Sequence, residues 1–238
     1  MIPRIIHYCW FGGNPIPRDL QRYMKSWEKQ CPNYEIRRWD ESSFDVNAHP
    51  FTKAAYQAKA WAFVSDYARL KIVYEQGGIY LDTDVELLKS LDELLTNESF
   101  FGIQQVESIC ASGLGFGAER ENPIVLKMLQ TYDTVEFDPN QLEQLACPKM
   151  NMRALEIDDF KGIKDPVALD GITLYPPRFF DPISPGNSQN LLCKDTISIH
   201  HYTAAWGSAA DRFKRKIIIA LGQDRVNMIR SILKGNKQ

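Results

Sequence analysis

The sequence predicts an α/β fold in which helices flank a mainly parallel sheet, followed by a C-terminal amphipathic helix. Strand and helix patterns alternate through the first 81 residues, which is the order that builds parallel sheets. The chain has 238 residues, of which 44% are hydrophobic, enough for one large core. No linker-like segment divides it. We therefore predict one domain over residues 1–210 and a basic helix over residues 211–238.

The first half of the chain contains the clearest elements. Apolar residues 2–11 indicate a strand that ends at the Gly12-Gly13 turn. A helix of residues 19–28 and a strand of residues 34–39 follow. Residues 52–76 then form a helical pattern, whole or broken, which Gly77-Gly78 terminates before a short apolar strand over 79–81.

The second half is less regular. The patterns predict strands at 100–106, 112–118 and 196–201, and helices at 123–132 and 213–233. Residues 133–170 show no clear periodicity, and the proline-rich segments 175–177 and 181–186 indicate loops.

Composition excludes several classes of protein. The net charge of −2 gives no support for nucleic-acid binding by the whole chain. No apolar run approaches the roughly 20 residues that span a bilayer. The five cysteines are odd in number, scattered and without a CxxC pair, which argues against a disulfide framework or a zinc knuckle and favours the cytoplasm.

Charge is unevenly distributed along the chain. Residues 211–238 carry a net charge of +6, and the first 210 residues carry −8. Apolar residues recur along this tail at helical spacing beside the lysines and arginines. Such a helix either lies on an anionic membrane surface or docks on its own domain with a basic outer face.

Two carboxylates, Asp82 and Asp84, follow the strand over 79–81. Ligands of open α/β sheets collect beyond the carboxyl ends of strands, so this is where a binding site is expected. Two hard oxygen donors at this spacing suit Mg²⁺ or Mn²⁺, with a diphosphate completing the coordination. The alternative is a solvated turn after a strand.

Ser65, Asp66 and Arg69 share one face of the preceding helix, since they lie at positions i, i+1 and i+4. The helix is apolar at most of its other positions, which predicts burial. A buried acid and arginine need partners or a ligand. They either form an internal Asp66–Arg69 pair or point toward a sugar hydroxyl or a diphosphate near Asp82 and Asp84.

Three segments together resemble the DXD sugar-binding region of glycosyltransferase family 32. They are residues 5–13 (IIHYCWFGG), 62–70 (AFVSDYARL) and 77–84 (GGIYLDTD), in the family's order. Residues 197–206 (ISIHHYTAAW) resemble the family's C-terminal histidine–tryptophan block, with Ala205 where many relatives have serine.

This resemblance implies a Rossmann-like GT-A fold, a nucleotide-sugar donor, Mn²⁺ or Mg²⁺ and retention of anomeric configuration. It implies catalytic roles for Asp66, Asp82 and Asp84. The implied donor-binding residues are Trp10, Ser65, Asp66, Arg69, Tyr80, Asp82 and Trp206. The implied metal ligands are Asp82, Asp84, His200 and His201. Successive strand residues point to opposite faces, so only one of the two histidines is expected to face the site.

The expected activity is transfer of a hexose to a glycan or lipid-linked oligosaccharide in bacterial capsule or surface polysaccharide synthesis. A UDP-sugar such as UDP-galactose is favoured over GDP-mannose, and the place of action is the inner face of the cell membrane. Acceptor-side candidates are Gln104, Gln105, Glu107 and Ser112. Two alternatives remain open: a metal-dependent phosphohydrolase using Asp82, Asp84 and His201, and a catalytically silent carbohydrate-binding protein.

Overall fold

A computed structural model describes residues 1–157, 159–185, 187 and 189–203. The predicted helix over 213–233 and Trp206 lie outside the described residues. The helices are α1 (Arg18–Gln30), α2 (Pro50–Gln57), α3 (Trp61–Gln76), α4 (Pro123–Gln130), α5 (Leu142–Leu145), α6 (Cys147–Leu155) and α7 (Pro177–Phe180). The strands are β1 (Ile5–Cys9), β2 (Glu35–Trp39), β3 (Gly78–Tyr80), β4 (Val85–Leu87), β5 (Ser99–Gly102), β6 (Phe116–Ala118), β7 (Val167–Leu169), β8 (Ile172–Tyr175) and β9 (Ser198–His200).

Seven of these strands form one sheet in the order β2-β1-β3-β6-β5-β8-β7. β1 pairs in parallel with β2 and β3, and β5 pairs in parallel with β8. β6 and β7 run antiparallel to their neighbours, so five of the seven strands point the same way. The predicted mainly parallel sheet with flanking helices is confirmed. β4 and β9 form a separate antiparallel pair.

Two hydrophobic clusters cover the two faces of the sheet. Consecutive strand residues belong to different clusters: Ile79 and Phe100 to one, Tyr80 and Phe101 to the other. This division follows from the two-residue period of a strand. The cluster that includes Tyr80 contains the buried residues of α3, α4 and α6, and the other contains Trp27 of α1 and β4. The sheet is therefore buried on both faces, as parallel sheets require.

The helical pattern over 52–76 is two helices, α2 and α3, separated at residues 58–60. Lys59 has a positive φ of 57°, and its N–H donates to the carbonyl of Tyr56 instead of continuing the helix. The irregular stretch 133–170 contains α5, α6 and β7. The expected loop at 175–177 begins with the last residue of β8 and ends with the first residue of α7. In the described part of the chain, no helix is long and apolar enough to cross a membrane.

Candidate functional site

The candidate site is built where β3, the turn into β4 and β9 meet. Asp82 lies two residues after the end of β3, and Asp84 immediately precedes β4. β4 pairs with β9 in a register that places Val85 opposite His200. This pairing brings a histidine from the end of the described chain next to two carboxylates more than a hundred residues earlier in the sequence.

Asp82, Asp84 and His200 form a group that can hold a cation, with one ligand atom of each residue lying within 4.8 Å of the others. His200 Nε2 lies 3.1 Å from Asp84 Oδ1 and 3.7 Å from Asp82 Oδ2. Asp84 and His200 are buried, and Asp82 is partly exposed. Two carboxylates and one imidazole form a donor set that fits Mn²⁺ or Mg²⁺.

His201 points away from this group. Its ring stacks on Tyr23 of α1 with the centroids 3.9 Å apart, and its Nε2 lies 2.9 Å from a carboxylate oxygen of Glu86. Its backbone N–H donates to the carbonyl of Asp84 at 3.0 Å. The alternation of strand side chains, which left the two histidines undecided in the sequence, thus places His200 at the carboxylates and His201 outside the group.

The two carboxylates favour the protonated form of His200, and its Nε2 would release that proton to bind a cation. Burial alone lowers the pKa of His200, but the carboxylates of Asp84 and Asp82 reverse that effect and raise the pKa to about 10. Burial raises the pKa of Asp84, but His200 and two hydrogen bonds from Thr203 hold it well below its usual range. The Thr203 N–H and hydroxyl donate to Asp84 Oδ2 at 2.8 and 3.0 Å. Asp84 is therefore ionised and fixed in position.

Arg69 connects α3 to the end of β3. Its Nη2 lies 2.8 Å from Asp66 Oδ1 and 3.3 Å from Asp82 Oδ1, and its Nε donates to the Ser65 carbonyl at 3.1 Å. The guanidinium lies 4.8 Å above the ring of Tyr80, whose hydroxyl donates to Asp82 Oδ1 at 3.1 Å. The internal Asp66–Arg69 pair is thus formed, and the same arginine also contacts the candidate cation group.

Asp66 is a buried carboxylate with a perturbed acidity. Burial raises its pKa to about 6, Asp82 adds to the rise, and Arg69 opposes it. Cys147, at the start of α6, lies beside this pair: Arg69 Nη1 donates to its sulfur at 3.9 Å, and its backbone N–H and thiol lower the pKa of Asp66. Ser65 next to it is fully buried and its hydroxyl has no hydrogen-bond partner among the described residues.

Three residues that sequence reasoning did not select lie against this side of the site. A Cβ on Gly113 would lie 2.6 Å from Asp82 Oδ2, so only glycine allows this approach. Asn151 of α6, with its amide oxygen toward Ser112, accepts the Ser112 N–H at 3.1 Å and donates to the Cys147 carbonyl at 3.3 Å. Gly113, Cys147 and Asn151 belong to short or irregular segments without a motif, so their roles depend on tertiary packing.

The remaining candidates have other contacts or lie outside the described residues. Trp10 follows β1, is 3% exposed, and donates its indole N–H to the Asn14 carbonyl at 2.6 Å. In the loop after β5, the Gln105 N–H donates to Asp181, and Glu107 is half-exposed and pairs with Lys149. Trp206 lies outside the described residues.

Comparison with known proteins adds family information to this geometry. The sequence model described as "glycosyltransferase sugar-binding region containing DXD motif" matches residues 17–101. The chain is 30% identical over 216 residues to an uncharacterized glycosyltransferase, L373, of Acanthamoeba polyphaga mimivirus, covering 87% of this chain and 84% of that protein. It is 29% identical over 141 residues to inositol phosphoceramide mannosyltransferase 3 of Schizosaccharomyces pombe, covering 58% of this chain but only 39% of the yeast protein.

Among solved structures, the PaToxG glycosyltransferase superposes with a TM-score of 0.54 at 19% identity, covering 65% of this chain and 69% of that one. At this identity the likeness concerns the fold alone. It agrees with the Rossmann-like GT-A fold that the sequence predicts, which is confirmed.

Proposed function

The chain belongs to the family of glycosyltransferases with a DXD-containing sugar-binding region, and from that premise we propose that it transfers a hexose from a nucleotide sugar to a glycan or a lipid-linked oligosaccharide. The observation that carries the proposal is the convergence of Asp82, Asp84 and His200 in one group, with Arg69 joining that group to Asp66. We further propose that the reaction depends on a divalent cation and retains anomeric configuration.

The cation would be held by Asp82, Asp84 and His200, the group whose spacing and ligand types fit it. These residues would hold Mn²⁺ or Mg²⁺, which would stabilise the negative charge that develops on the departing diphosphate. Thr203 keeps Asp84 oriented through its two hydrogen bonds, and Arg69 and Tyr80 do the same for Asp82. These contacts preorganise the two carboxylates before the donor binds.

The residues of α3 are proposed to handle the sugar. Asp66 and Arg69 present a carboxylate and a guanidinium within 2.8 Å of each other, a pair that can bind adjacent hydroxyl groups. As the glycosidic bond to the diphosphate breaks, the anomeric carbon gains oxocarbenium character, which a nearby carboxylate stabilises electrostatically. Attack by the acceptor on the face that the diphosphate leaves retains configuration without a protein nucleophile. Ser65, with its unpartnered hydroxyl, is a further sugar contact.

For the donor we favour a UDP-sugar, with UDP-galactose as the first candidate, and for the nucleotide base we propose contact with Trp10 at the end of β1. Trp206 is proposed to close over the diphosphate. The product class we propose is a bacterial capsule or another surface polysaccharide, made in the cytoplasm. The mannosyltransferase relative makes GDP-mannose the donor to test against UDP-sugars.

A nucleotide-sugar screen tests this proposal. The full chain is melted with UDP-galactose, UDP-glucose and GDP-mannose, each with and without Mn²⁺. We expect one nucleotide class to raise the melting temperature only when Mn²⁺ is present, and Asp82→Asn with Asp84→Asn to abolish the shift. Asp195→Asn, which changes a carboxylate bound to Arg178, serves as the matched control. NMR of the anomeric proton of the product tests retention.

The alternatives give different results in the same assays. Release of phosphate from phosphate esters without sugar transfer would replace this proposal with a phosphohydrolase. Donor binding without turnover for any acceptor would indicate a carbohydrate-binding protein.

We also propose peripheral contact with an anionic membrane. Besides the basic tail at 211–238, α1 carries four exposed cations at positions i, i+4, i+7 and i+11, which form a straight stripe along one helix face: Arg18, Arg22, Lys25 and Lys29. Within the described part of the chain, no carboxylate lies within 4.0 Å of any of them. The side chain of Tyr23 on the same helix stacks on His201, so this stripe lies on an element that adjoins the candidate site.

A further inference from the structure

Asp181, directly after α7, is a fully buried carboxylate beside the candidate site that the proposed mechanism leaves without a role. Its Oδ2 accepts the backbone N–H of Gln105 at 2.7 Å. The side-chain amide of Gln105 donates to the carbonyls of Asp181 and Pro182 at 3.3 and 3.2 Å. The loop that follows β5, on the proposed acceptor side, is therefore held to Asp181 by hydrogen bonds.

The same carboxylate also interacts with the segment that carries His200. Its other oxygen, Oδ1, is buried without a hydrogen-bond partner among the described residues, and the hydroxyl groups of Tyr202 and Ser184 lie near this carboxylate. Burial raises the pKa of Asp181, and the hydrogen bond from Gln105, the positive charge of His200 and these two hydroxyl groups oppose the rise. A carboxylate removed from water needs such partners, since an unpaired buried charge is costly.

Tyr202 has an unusual backbone conformation. Its φ of 49° lies in the left-handed region, which disfavours residues other than glycine and is found at functional sites. The bend places its ring edge-on against the imidazole of His200, with centroids 4.1 Å apart and planes at 86°. It also turns the chain so that Thr203 donates twice to Asp84. A strained bend of this kind persists only where other contacts hold it.

We propose that Asp181 is a positioning residue that acts through Tyr202 to keep His200 and Asp84 in the geometry that binds the cation. The inference rests on the proposed function, because it assigns the cation to Asp82, Asp84 and His200. Because Gln105 is bound to the same carboxylate, the acceptor-side loop and the cation group share one anchor. Partners behind metal ligands typically change metal affinity by about 10–100-fold when they are removed.

Two conservative variants of the full chain test this role. Asp181→Asn keeps the size of the side chain and an acceptor for the Gln105 N–H but removes the negative charge that Tyr202 contacts. Tyr202→Phe keeps the ring on His200 and removes only the hydroxyl. The Kd for Mn²⁺ alone is measured by electron paramagnetic resonance of the free ion. We expect each variant to bind Mn²⁺ about 10-fold more weakly than the wild type, and the double variant to bind no more weakly than the weaker single variant, since both act on one contact.

A kinetic readout separates positioning from a general structural effect. At saturating Mn²⁺ we expect both variants to recover most of the wild-type kcat while the KM for Mn²⁺ stays raised. Asp195→Asn, the control, should leave both parameters unchanged, and thermal melts establish that each variant is folded. Tyr202→Phe keeps the test decisive if Asp181→Asn fails to fold.

Wild-type affinity for Mn²⁺ in both Asp181→Asn and Tyr202→Phe would overturn this inference and leave the proposed function intact. A loss in Asp181→Asn without a loss in Tyr202→Phe would also overturn it, because the effect would then not pass through the tyrosine. If the wild-type chain binds no Mn²⁺ and Asp82→Asn changes nothing, the proposed function fails, and this inference fails with it.

Discussion

At the scale of single residues, the adjacent histidines His200, the last residue of β9, and His201, which follows it, have different surroundings. His200 lies 3.1 Å from Asp84, whereas His201 is stacked on Tyr23 and paired with Glu86. Their side chains have the same chemistry and neighbouring positions, so substitution of each isolates the effect of orientation. Comparing the same substitution at the two positions therefore tests whether His200 belongs to the cation group.

We predict that His200→Gln raises the KM for Mn²⁺ in the transfer reaction at least about 100-fold, because a direct ligand matters more than the partners behind it. His201→Gln should leave that KM nearly unchanged and cost about 1 kcal/mol of stability through the lost ring contact. Metal titrations of turnover and thermal melts measure the two effects. Equal losses of Mn²⁺ affinity in both variants would contradict the assignment of His200.

His7 provides a residue-scale prediction about pH. It is fully buried, with Nε2 placed to donate to the Gly77 carbonyl at 2.9 Å and Nδ1 placed to accept the Trp39 indole N–H at 3.1 Å. A neutral imidazole satisfies both contacts, and a proton on Nδ1 would face another donor. Burial, with a smaller contribution from Arg37, lowers the pKa of His7 from 6.5 to about 4.

Because the folded pKa is lower than the unfolded one, the unfolded chain binds the proton first as the pH falls. The free energy of unfolding should therefore decrease between pH 6.5 and about pH 4, with His7 contributing a loss of about 3 kcal/mol in total. Urea denaturation at pH 7 and pH 4.5 measures the change, and His7→Gln should show a correspondingly smaller one. An identical pH dependence in the variant would show that His7 is not responsible.

At the scale of elements, local sequence signals were sufficient to predict the parts of the site that are contiguous in the chain. The apolar pattern of α3, the Gly77-Gly78 terminator and the carboxylates after β3 are all encoded within about 25 residues. Their burial and their order could be predicted because helix and strand periods act over that distance. The Asp66–Arg69 pair was one of the two arrangements that helical spacing allowed, and the structure forms it.

Elements that depend on distant partners could not be predicted in the same way. β4 has three residues and is a strand because it pairs with β9; the sequence predicted a strand at 196–201 but not this partner. α6 lies in a stretch without clear periodicity, and its role comes from contact of Cys147 with Asp66 and of Asn151 with Ser112. No local pattern specifies that a thiol will meet a carboxylate eighty residues earlier in the chain.

The contact between α6 and α3 leads to an element-scale prediction. Cys147→Ala removes the sulfur to which Arg69 Nη1 donates at 3.9 Å and the thiol that lowers the pKa of Asp66, and hydrogen bonds to charged groups contribute about 1.5–3 kcal/mol. We expect the KM for the sugar donor to rise about 10-fold, because Asp66 is then less well oriented. Cys147→Ser should retain most of the wild-type value. Cys193→Ala, at an exposed cysteine, is the control, and the same KM in both alanine variants would contradict the prediction.

At the scale of the whole molecule, the cation group joins the two hydrophobic clusters. Leu81 and Val85, on either side of Asp82 and Asp84, belong to one cluster, and Arg69 reaches Asp82 from α3, whose buried apolar residues belong to the other. We predict that residues 1–210 fold without the tail. A chain truncated after residue 210 should melt cooperatively and keep its Mn²⁺-dependent donor shift, as thermal melts would measure. Loss of cooperative unfolding would place part of the tail within the domain core.

The charge distribution over the whole chain leads to the prediction of membrane contact. Each basic residue near anionic headgroups contributes about 1 kcal/mol, so the stripe of Arg18, Arg22, Lys25 and Lys29 is large enough to retain the protein on a charged bilayer. Attraction of this kind weakens as salt is added. We expect the full chain to sediment with vesicles containing phosphatidylglycerol, to remain in solution with phosphatidylcholine alone, and to be released at high ionic strength.

Matched charge reversals separate the contribution of α1 from that of net charge. The double variant Arg22→Glu with Lys25→Glu should bind the vesicles at least about 30-fold more weakly, since at least about 2 kcal/mol of attraction is removed. Lys53→Glu with Lys164→Glu changes the net charge equally at exposed positions elsewhere and should have a much smaller effect. Deletion of 211–238 measures the tail separately: unchanged sedimentation would mean that the tail docks on its own domain. Equal losses in the two double variants would reduce the effect to net charge and refute a specific role for α1.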